Sequence, residues 1–331
     1  LNVYTYTKYP SEMIPEGHEV AREQFALNGN SYFAGQKSTT GAIDMKEENN
    51  VLFFTCGDVR ISFNKRNGEL NGYRYQDKML LGHAPQPQFW RAPTDNDFGN
   101  RMGILCNVWR TAGQNKEFKG MNVERKDGAV TLTSIYYLRD VASDYTVKYT
   151  VYADGRVEVN GSWKAGNIAL PEIPRFGMQM TLAQEFDQFS WYGRGPWENY
   201  SDRNTASFIG KYTSTVDEQY VAYIRPQENG NKTDVRWLTL TNKEGFGLRI
   251  DGLQPLSVSA LRNYPEDFDA GLTKSQRHIN DINPRKAVVL HVDLAQRGVG
   301  GDNSWGMYPH EPYLLKAKEY TYGYVISPVA K

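Results

Sequence analysis

Apolar and polar residues alternate along many short segments of this chain. In residues 144–152, Tyr145, Val147, Tyr149 and Val151 occupy every second position, with polar residues between them. A period of two is typical of a β-strand with one face against a core. Further strands are predicted at 59–64, 70–75, 129–138, 156–163, 176–182, 189–192, 235–242, 246–251, 256–260, 287–294 and 320–326.

Pairs of turn-forming residues separate several of these segments. The pairs are Asn67-Gly68, Asp127-Gly128 and Asp154-Gly155. Asn-Gly and Asp-Gly between two strands are typical of tight hairpins. Helical periodicity is weak, and we predict only a helical turn or two at 102–110. Short strands with regular turns and hardly any strand–helix alternation predict an all-β antiparallel sandwich.

The first part of the chain has the pattern of a separate β unit. Residues 17–27 alternate as a strand does, and a turn signal follows at 28–30. The chain then becomes small and polar at 38–41, which is typical of a linker. We therefore predict that residues 1–36 are the end of a preceding β domain plus a linker, and that residues 37–331 form one large domain.

Composition excludes several classes of partner. The 331 residues include 38 Lys+Arg and 38 Asp+Glu, so no net charge favours nucleic acid or an anionic membrane. No apolar run is long enough for a membrane-spanning helix. Cys56 and Cys106 are too few for a disulfide framework, and we expect buried thiols and no metal site. The chain starts at Leu1 without a visible secretory leader, so its compartment, cytoplasm or periplasm, stays open.

The segment 298–306 is the strongest candidate for a binding loop. Four glycines in it surround Asp302, Asn303 and a single indole, Trp305. Glycine permits sharp turns, and Asp and Asn side chains fix them through hydrogen bonds to the backbone. An aromatic face on such a loop suits stacking on a sugar. The alternative is that Trp305 folds back as a buried plug under its own loop.

Three other polar clusters interrupt the strands, at 89–99, 191–203 and 223–237. Each mixes aromatic rings with Asp, Asn, Glu or Arg, the groups that bind sugar hydroxyls. The additional cleft candidates are Arg194, Glu198, Glu228, Asn229, Arg236 and His278. The alternative is that Arg–carboxylate pairs fix these loops to the sheet, and we favour it for Asp95, Asp97 and Arg203.

Two catalytic schemes can be drawn from these residues. A glycosidase needs two carboxyl groups facing one bond, and Glu198 with Glu228 could be imagined in that role, although nothing in their spacing requires it. A sugar epimerase needs a general acid and a base, for which His278 with Glu228 is the best pair. A lone histidine is more often a structural residue.

Four stretches resemble, in the same order, the C-terminal part of bacterial β-galactosidases of glycoside hydrolase family 2. They are Arg91-Ala92-Pro93-Thr94-Asp95-Asn96-Asp97; Gly193-Arg194-Gly195-Pro196 with Glu198-Asn199-Tyr200 and Asp202-Arg203; Pro226 with Glu228-Asn229-Gly230; and Gly298 to Trp305. The resemblance covers residues 51–331. Residues before 35 resemble the end of the immunoglobulin-like domain that precedes this part in the family.

The resemblance implies a galactose-mutarotase-like antiparallel super-sandwich. It also implies that the catalytic glutamates, with Mg and Na ions near them, lie in an upstream barrel that this chain lacks, and that the complete enzyme is a homo-oligomer. By the same resemblance Trp305 stacks on the β-galactoside, beside Asp302 and Asn303, and this segment holds no catalytic residue, metal or cofactor. The alternatives are a stand-alone carbohydrate-binding module and a mutarotase-like epimerase.

Overall fold

The computed structural model describes residues 1–27, 32–33, 41–272, 277–303 and 305–330. The chain divides into two compact units, Leu1–Tyr32 and Phe33–Lys331. The boundary predicted at 36/37 lies outside the described residues. That residues 1–36 end an immunoglobulin-like domain therefore stays a prediction.

The first unit contains one antiparallel pair of strands, β1 (Asn2–Tyr6) and β2 (Glu19–Gln24). The strand predicted at 17–27 is thus present over its central part. Most side chains of both strands are exposed. An isolated two-stranded hairpin is only marginally stable in water.

The second unit begins with a five-stranded antiparallel sheet in which the strands pair in chain order. Its strands are β3 (Asp44–Glu48), β4 (Val51–Cys56), β5 (Val59–Asn64), β6 (Glu69–Tyr75) and β7 (Lys78–Met79). In β4, Leu52, Phe54 and Cys56 are buried while Phe53 and Thr55 are exposed. The period of two therefore places one face of this sheet against a core.

A second sheet of twelve strands makes up most of the unit. Its strands are β8 (His83–Gln88), β9 (Lys116–Lys126), β10 (Ala129–Leu138), β11 (Ser143–Tyr152), β12 (Val157–Lys164), β13 (Arg175–Ala183), β14 (Gln188–Gly195), β15 (Phe208–Thr215), β16 (Lys232–Thr241), β17 (Gly247–Leu261), β18 (Ala287–Gln296) and β19 (Tyr320–Val329). Nine of them follow the order β15-β14-β16-β17-β19-β12-β11-β10-β9, and all pairs are antiparallel. The long strand β17 also pairs with β18, which continues through β13 to β8.

The predicted hairpin at Asp127-Gly128 has the expected turn geometry. Asp127 and Gly128, between β9 and β10, both have positive φ, 50° and 74°. This is the backbone of a type I′ turn, for which Asp-Gly is a preferred pair. Gly155, between β11 and β12, also has a positive φ, of 83°.

The two sheets of this unit share one hydrophobic core. Phe63 of β5 packs against Tyr149 of β11, with ring centroids 5.1 Å apart. The Tyr73 hydroxyl of β6 donates a hydrogen bond of 2.9 Å to the carbonyl of Gly155. Cys56 and Cys106 are free, buried thiols, as expected. The prediction of an all-β antiparallel super-sandwich is confirmed.

Helices are short and lie in the connections. They are α1 (Asp95–Gly99), α2 (Met102–Leu105), α3 (Pro265–Phe268) and the 3₁₀ turns Asn107–Trp109, Arg139–Val141, Asp217–Gln219, Ile279–Asp281 and Glu311–Tyr313. The helical turns predicted at 102–110 are confirmed. Among the described residues no helix is long and apolar enough to cross a membrane.

Candidate functional site

The glycine loop 298–306 follows strand β18 and carries the most exposed tryptophan described in this chain. The Trp305 side chain is 89% exposed. The alternative in which this indole is a buried plug is therefore wrong. The backbone N–H of Trp305 donates a 2.9 Å hydrogen bond to Oδ1 of Asn303, so this predicted residue fixes the turn beneath the indole.

A buried ion cluster holds the base of the loop. Asp97 accepts hydrogen bonds from Nε and Nη2 of Arg91, at 3.1 and 2.9 Å, and from Nη1 of Arg297 at 2.7 Å. All three side chains are fully buried. Arg297 also donates to Glu172 at 2.8 Å, and Arg91 donates to the carbonyl of Gly298 at 2.8 Å. The carboxylate thus joins helix α1 to the first residues of the loop.

Further contacts fix the two ends of the loop. The N–H of Gly300 donates to Oδ2 of Asp202 at 2.8 Å, and Asn96 donates to the carbonyl of Val299 at 2.9 Å. Gly306 has φ 134°, and a Cβ there would lie 2.9 Å from the carbonyl oxygen of Gly99. Only glycine fits this close approach without strain. The loop is therefore anchored on both sides of an exposed tip.

Asp302 and His310 form a pair at the exposed edge of this loop. Nε2 of His310 lies 2.7 Å from Oδ1 of Asp302, and both side chains are more than half exposed. Such a pair contributes little to stability because water screens it. Asp302 thus keeps the accessibility that its predicted role in sugar binding requires, and that role stays a prediction.

The Glu198 carboxylate is used inside the protein. Its Oε1 accepts from Arg203 at 2.7 Å and from the hydroxyl of Tyr223, and its Oε2 accepts from the N–H of Gly230 at 2.8 Å. The side chain is 7% exposed. Glu198 therefore ties two loops together, in agreement with the structural interpretation of Arg203.

Glu228 lies in a second buried network. Its Oε1 accepts hydrogen bonds from Arg175 at 2.8 Å and from Gln296 at 3.0 Å. Arg175 also pairs with Asp293 at 3.1 Å. Burial raises the pKa of Asp293 to about 8, although the Arg175 charge acts in the opposite direction. Arg175, Gln296 and Asp293 lie on strands β13 and β18, and their partnership with Glu228 was not predicted.

Three of the lower-ranked candidates fix loop conformations. Asn229 is 2% exposed and is bonded to Val221 and Gln227. Arg194 pairs with Asp234 and donates to the carbonyls of Asn204 and Ser207. Arg236 donates to the carbonyl of Asp234 and lies over the Tyr192 ring, 5.7 Å from its centroid. These contacts give all three side chains a structural role that requires no ligand.

His278 is exposed, and its backbone N–H donates to Asp281 at 2.8 Å. The preceding residues 274–276 of the predicted stretch lie outside the described residues. Over the part of the chain that the structure covers, no hydrogen bond or ion pair joins His278 to Glu228. No described contact joins this acid–base pair, which stays a prediction.

A polar cavity of about 330 Å³ opens beside the glycine loop. It is lined by Thr94, Asp95, Asn96, Tyr200, Arg203, Tyr223, Gln227, Glu228, Val299 and Gly300. All three predicted polar clusters and the glycine loop itself meet here. Tyr200, Asn96 and Gln227 were not among the predicted site residues, although all three lie within predicted clusters. Within the described ranges, no three His, Cys, Asp or Glu side chains are grouped to hold a metal ion.

Comparison with known proteins shows the family to which this β-sandwich domain belongs. Residues 55–326 match the family model described as β-galactosidase small chain. The chain belongs to this family, as its motifs indicated.

Curated relatives named β-galactosidase extend over nearly the whole chain. The Priestia megaterium protein is 36% identical over 314 residues, covering 95% of this chain and 30% of the relative. The Halalkalibacterium halodurans protein is 30% identical over 308 residues, covering 92% of this chain and 30% of the relative. The Streptococcus thermophilus protein is 28% identical over 323 residues, with coverages of 96% and 30%. The chain thus spans about 30% of the length of these relatives.

Solved structures include a galactose mutarotase related enzyme from Lactobacillus acidophilus. It is 10% identical, covers 87% of this chain and 97% of its own, and has a TM-score of 0.42. We draw nothing about function from so distant a likeness.

Proposed function

We propose that this chain acts as the small-chain segment of a β-galactosidase that hydrolyses terminal β-D-galactosides with retention of configuration. The proposal is supported by family membership and by relatives named β-galactosidase, of which the chain spans about 30%. The two catalytic glutamates, with Mg and Na ions, would belong to a barrel in the remaining part, and the complete enzyme would be a homo-oligomer. This segment would hold no catalytic residue and no metal.

The environment of the carboxylates in this chain is consistent with catalytic glutamates that lie elsewhere in the enzyme. A retaining glycosidase needs an acid and a nucleophile that both face one glycosidic bond. Glu198 has both oxygens bonded to protein donors, and Glu228 forms an ion pair with Arg175 at 2.8 Å. In the described structure, neither carboxylate is free to act as a nucleophile. The double displacement therefore requires groups from elsewhere.

The observation that carries the proposal is the exposed Trp305 on an anchored loop. An indole offers a large apolar face, and burying it against a sugar and a neighbouring domain removes that face from water. The anchor formed by Arg91, Asp97 and Arg297 fixes the position of the loop base before substrate binds. A preorganised loop loses less conformational entropy on binding than a mobile one. Trp305 would thus bind and orient the galactoside while the domain closes one side of the site.

Kinetics of the complete enzyme test this role. Trp305→Ala removes the stacking face, so affinity for galactosides should fall by about 1.5–3 kcal/mol, or roughly 10- to 150-fold. Trp197→Ala is the matched control, because Trp197 is also exposed, at 60%, but lies on another loop. Unchanged KM for galactosides and unchanged inhibition by the glucose product in Trp305→Ala would remove this residue from the site.

No observation favours the epimerase alternative. It requires His278 and Glu228 to face the same sugar carbon, and they lie in separate hydrogen-bond networks. A stand-alone carbohydrate-binding module would need a sugar site that works without another domain.

A further inference from the structure

A second cavity, of about 410 Å³, lies beside the short helices α1 and α2. Its other walls are formed by the loop that precedes strand β16 and by the residues that follow helix α3. We call it the α1–α2 cavity. Its volume falls within the usual range of small-molecule sites, about 300–1,000 Å³. Among the described residues that line it, none belongs to the glycine loop 298–306.

Apolar side chains form much of the lining of this cavity. They include Pro93, Phe98, Ile104, Pro226, Phe268 and Leu272. Three of them are accessible to a ligand, because Phe98, Ile104 and Leu272 are 42%, 59% and 61% exposed. Covering such apolar surface removes it from water, which is favourable. The lining therefore suits a ligand with an apolar body.

Four arginines line the cavity, and two of them have carboxylate partners. Arg110 pairs with Asp269, and Arg225 pairs with Asp95 at 3.4 Å. The Arg225 guanidinium also lies over the Phe98 ring, 4.5 Å from its centroid. The charges of these two arginines are therefore compensated, and we assign them no role in attracting a ligand.

The other two arginines, Arg101 and Arg277, have no carboxylate partner among the described residues. Arg277 donates through Nη1 to neutral carbonyls, of Glu266 at 2.7 Å and of Asp267. The Arg101 side chain is exposed and has no hydrogen-bond partner in the described structure. The one carboxylate in the described lining, Asp97, is already bonded to the two buried arginines of the loop base. The cavity thus carries an uncompensated positive charge beside apolar surface.

Gly103 of helix α2 lines the same cavity and keeps part of it open. Its backbone is helical, and a Cβ at this position would meet only Cγ of Pro93, at 3.8 Å, which is an ordinary contact. Glycine weakens a helix relative to alanine, so the backbone gains nothing from it here. Because Pro93 also lines the cavity, a longer side chain at position 103 would extend into the open space. The space itself therefore explains the glycine better than the backbone does.

We propose that the α1–α2 cavity binds a small carboxylate with an aromatic body. The ring would cover Phe98, Ile104 and Leu272, and aromatic pairs add to the energy of apolar contact. The carboxylate would accept charge-assisted hydrogen bonds from Arg101, with the Arg277 charge nearby. This inference goes beyond the proposed function and does not depend on it, because all these residues belong to this chain and lie outside the glycine loop.

Isothermal titration calorimetry of this chain with naphthalene-2-carboxylate tests the proposal. We expect one saturable site whose affinity falls as salt is added, because salt screens the charge of the exposed Arg101. Naphthalene-2-carboxamide has nearly the same shape without the charge and should bind about tenfold more weakly. Arg101→Gln should weaken binding of the carboxylate by about three- to tenfold. Arg66→Gln is the matched control and should bind normally, because Arg66 is also exposed but lies between strands β5 and β6, outside the cavity.

Two substitutions of Gly103 test the cavity itself. Gly103→Phe places a ring in the space that the ligand would occupy and should abolish binding. Gly103→Ala adds only a methyl group, for which there is room beside Pro93, and should leave binding unchanged. Thermal unfolding of both variants shows whether they fold as the unmodified chain does. If Gly103→Phe does not fold, the comparison of Arg101→Gln with Arg66→Gln decides.

Several results would overturn this site. The unmodified chain could fail to bind the carboxylate, the carboxamide could bind as tightly, Arg101→Gln could bind as Arg66→Gln does, or a folded Gly103→Phe could bind normally. Trp305→Ala separates this site from the one in the proposed function. It should keep its affinity for the carboxylate, and a loss would place the naphthalene ring at the loop tip and refute the cavity site. Binding by this chain but not by the complete enzyme would show that the rest of the enzyme covers the cavity, and would refute a site for a free ligand.

Discussion

Replacing Asp97 with asparagine should destabilise the protein more than most single substitutions. Asp97 accepts three hydrogen bonds from Arg91 and Arg297 and a fourth from the N–H of Thr94 at 3.0 Å. An asparagine has nearly the same volume but no charge and only one acceptor oxygen. Its amide nitrogen would face donors. The substitution therefore removes the counter-charge and leaves space and packing almost unchanged.

The magnitude follows from burial. Arg91, Asp97 and Arg297 are all 0% exposed, so water cannot replace the lost carboxylate. Breaking a buried pair on one side costs about 3–5 kcal/mol, because an uncompensated charge remains. Loss of the helix cap at Thr94 is a smaller contribution, about 1 kcal/mol. Because Glu172 still pairs with Arg297 in the variant, we expect the free energy of unfolding to fall by about 3 kcal/mol.

Urea unfolding, followed by tryptophan fluorescence and by circular dichroism, measures this loss. Asp95→Asn is the control, since it makes the same chemical change on the same helix. The Asp95 side chain is 62% exposed and lies 3.4 Å from Arg225, so its loss should cost less than about 1 kcal/mol. Equal losses for the two variants, or a loss below about 1 kcal/mol for Asp97→Asn, would refute the buried anchor.

Two further predictions concern Lys232 and the absence of epimerase activity. Burial lowers the pKa of Lys232 from about 10.5 in the unfolded chain to about 8 in the folded protein. The free energy of unfolding therefore decreases as the pH falls from about 10.5 to about 8. Between pH 7 and pH 10, the unfolding free energy of the unmodified chain relative to Lys232→Met should rise by about 2 to 3 kcal/mol; a difference independent of pH would contradict this. In polarimetry of fresh α-galactose, the isolated chain should not accelerate mutarotation. An acceleration that is lost in His278→Ala would support the epimerase alternative instead.

The sequence was sufficient for the strands whose alternation is regular. Strands β10, β11 and β12 lie where the period predicted them, and the two predicted Asp-Gly pairs form the turns before β10 and after β11. Strand β8 was missed because its sequence, His83–Gln88, contains two prolines, which mark an edge or irregular strand. Strand β9 was missed because most of its residues are polar or charged and none is fully buried. Both depend on pairing with a neighbour rather than on their own pattern.

Strand β17 shows a different limit. Two strands were predicted, at 246–251 and 256–260, and the residues between them include Gly252 and Pro255. The structure has one strand of 15 residues, Gly247–Leu261. The strand pairs with β16 and β19 before these residues and with β16 and β18 after them, and such tertiary pairing cannot be seen in a local window.

The candidate site was predictable in outline but not in its partnerships. The loop, its indole and the polar clusters were identified from residue types, and Asp97 and Arg203 were correctly interpreted as members of fixed ion pairs. The partners of Glu228 could not be predicted, because Arg175 and Gln296 are 53 and 68 residues away along the chain. The α1–α2 cavity depends on which segments surround it in three dimensions, which no local pattern specifies.

A crystal structure of the complete enzyme with a bound galactoside would test the central role of Trp305 most directly. We expect the Trp305 ring to lie in van der Waals contact with the sugar, within about 4.5 Å between heavy atoms. We also expect Arg91, Asp97 and Arg297 to hold the loop base. A bound sugar with the Trp305 ring packed against another surface, beyond that distance, would contradict the proposed role of Trp305.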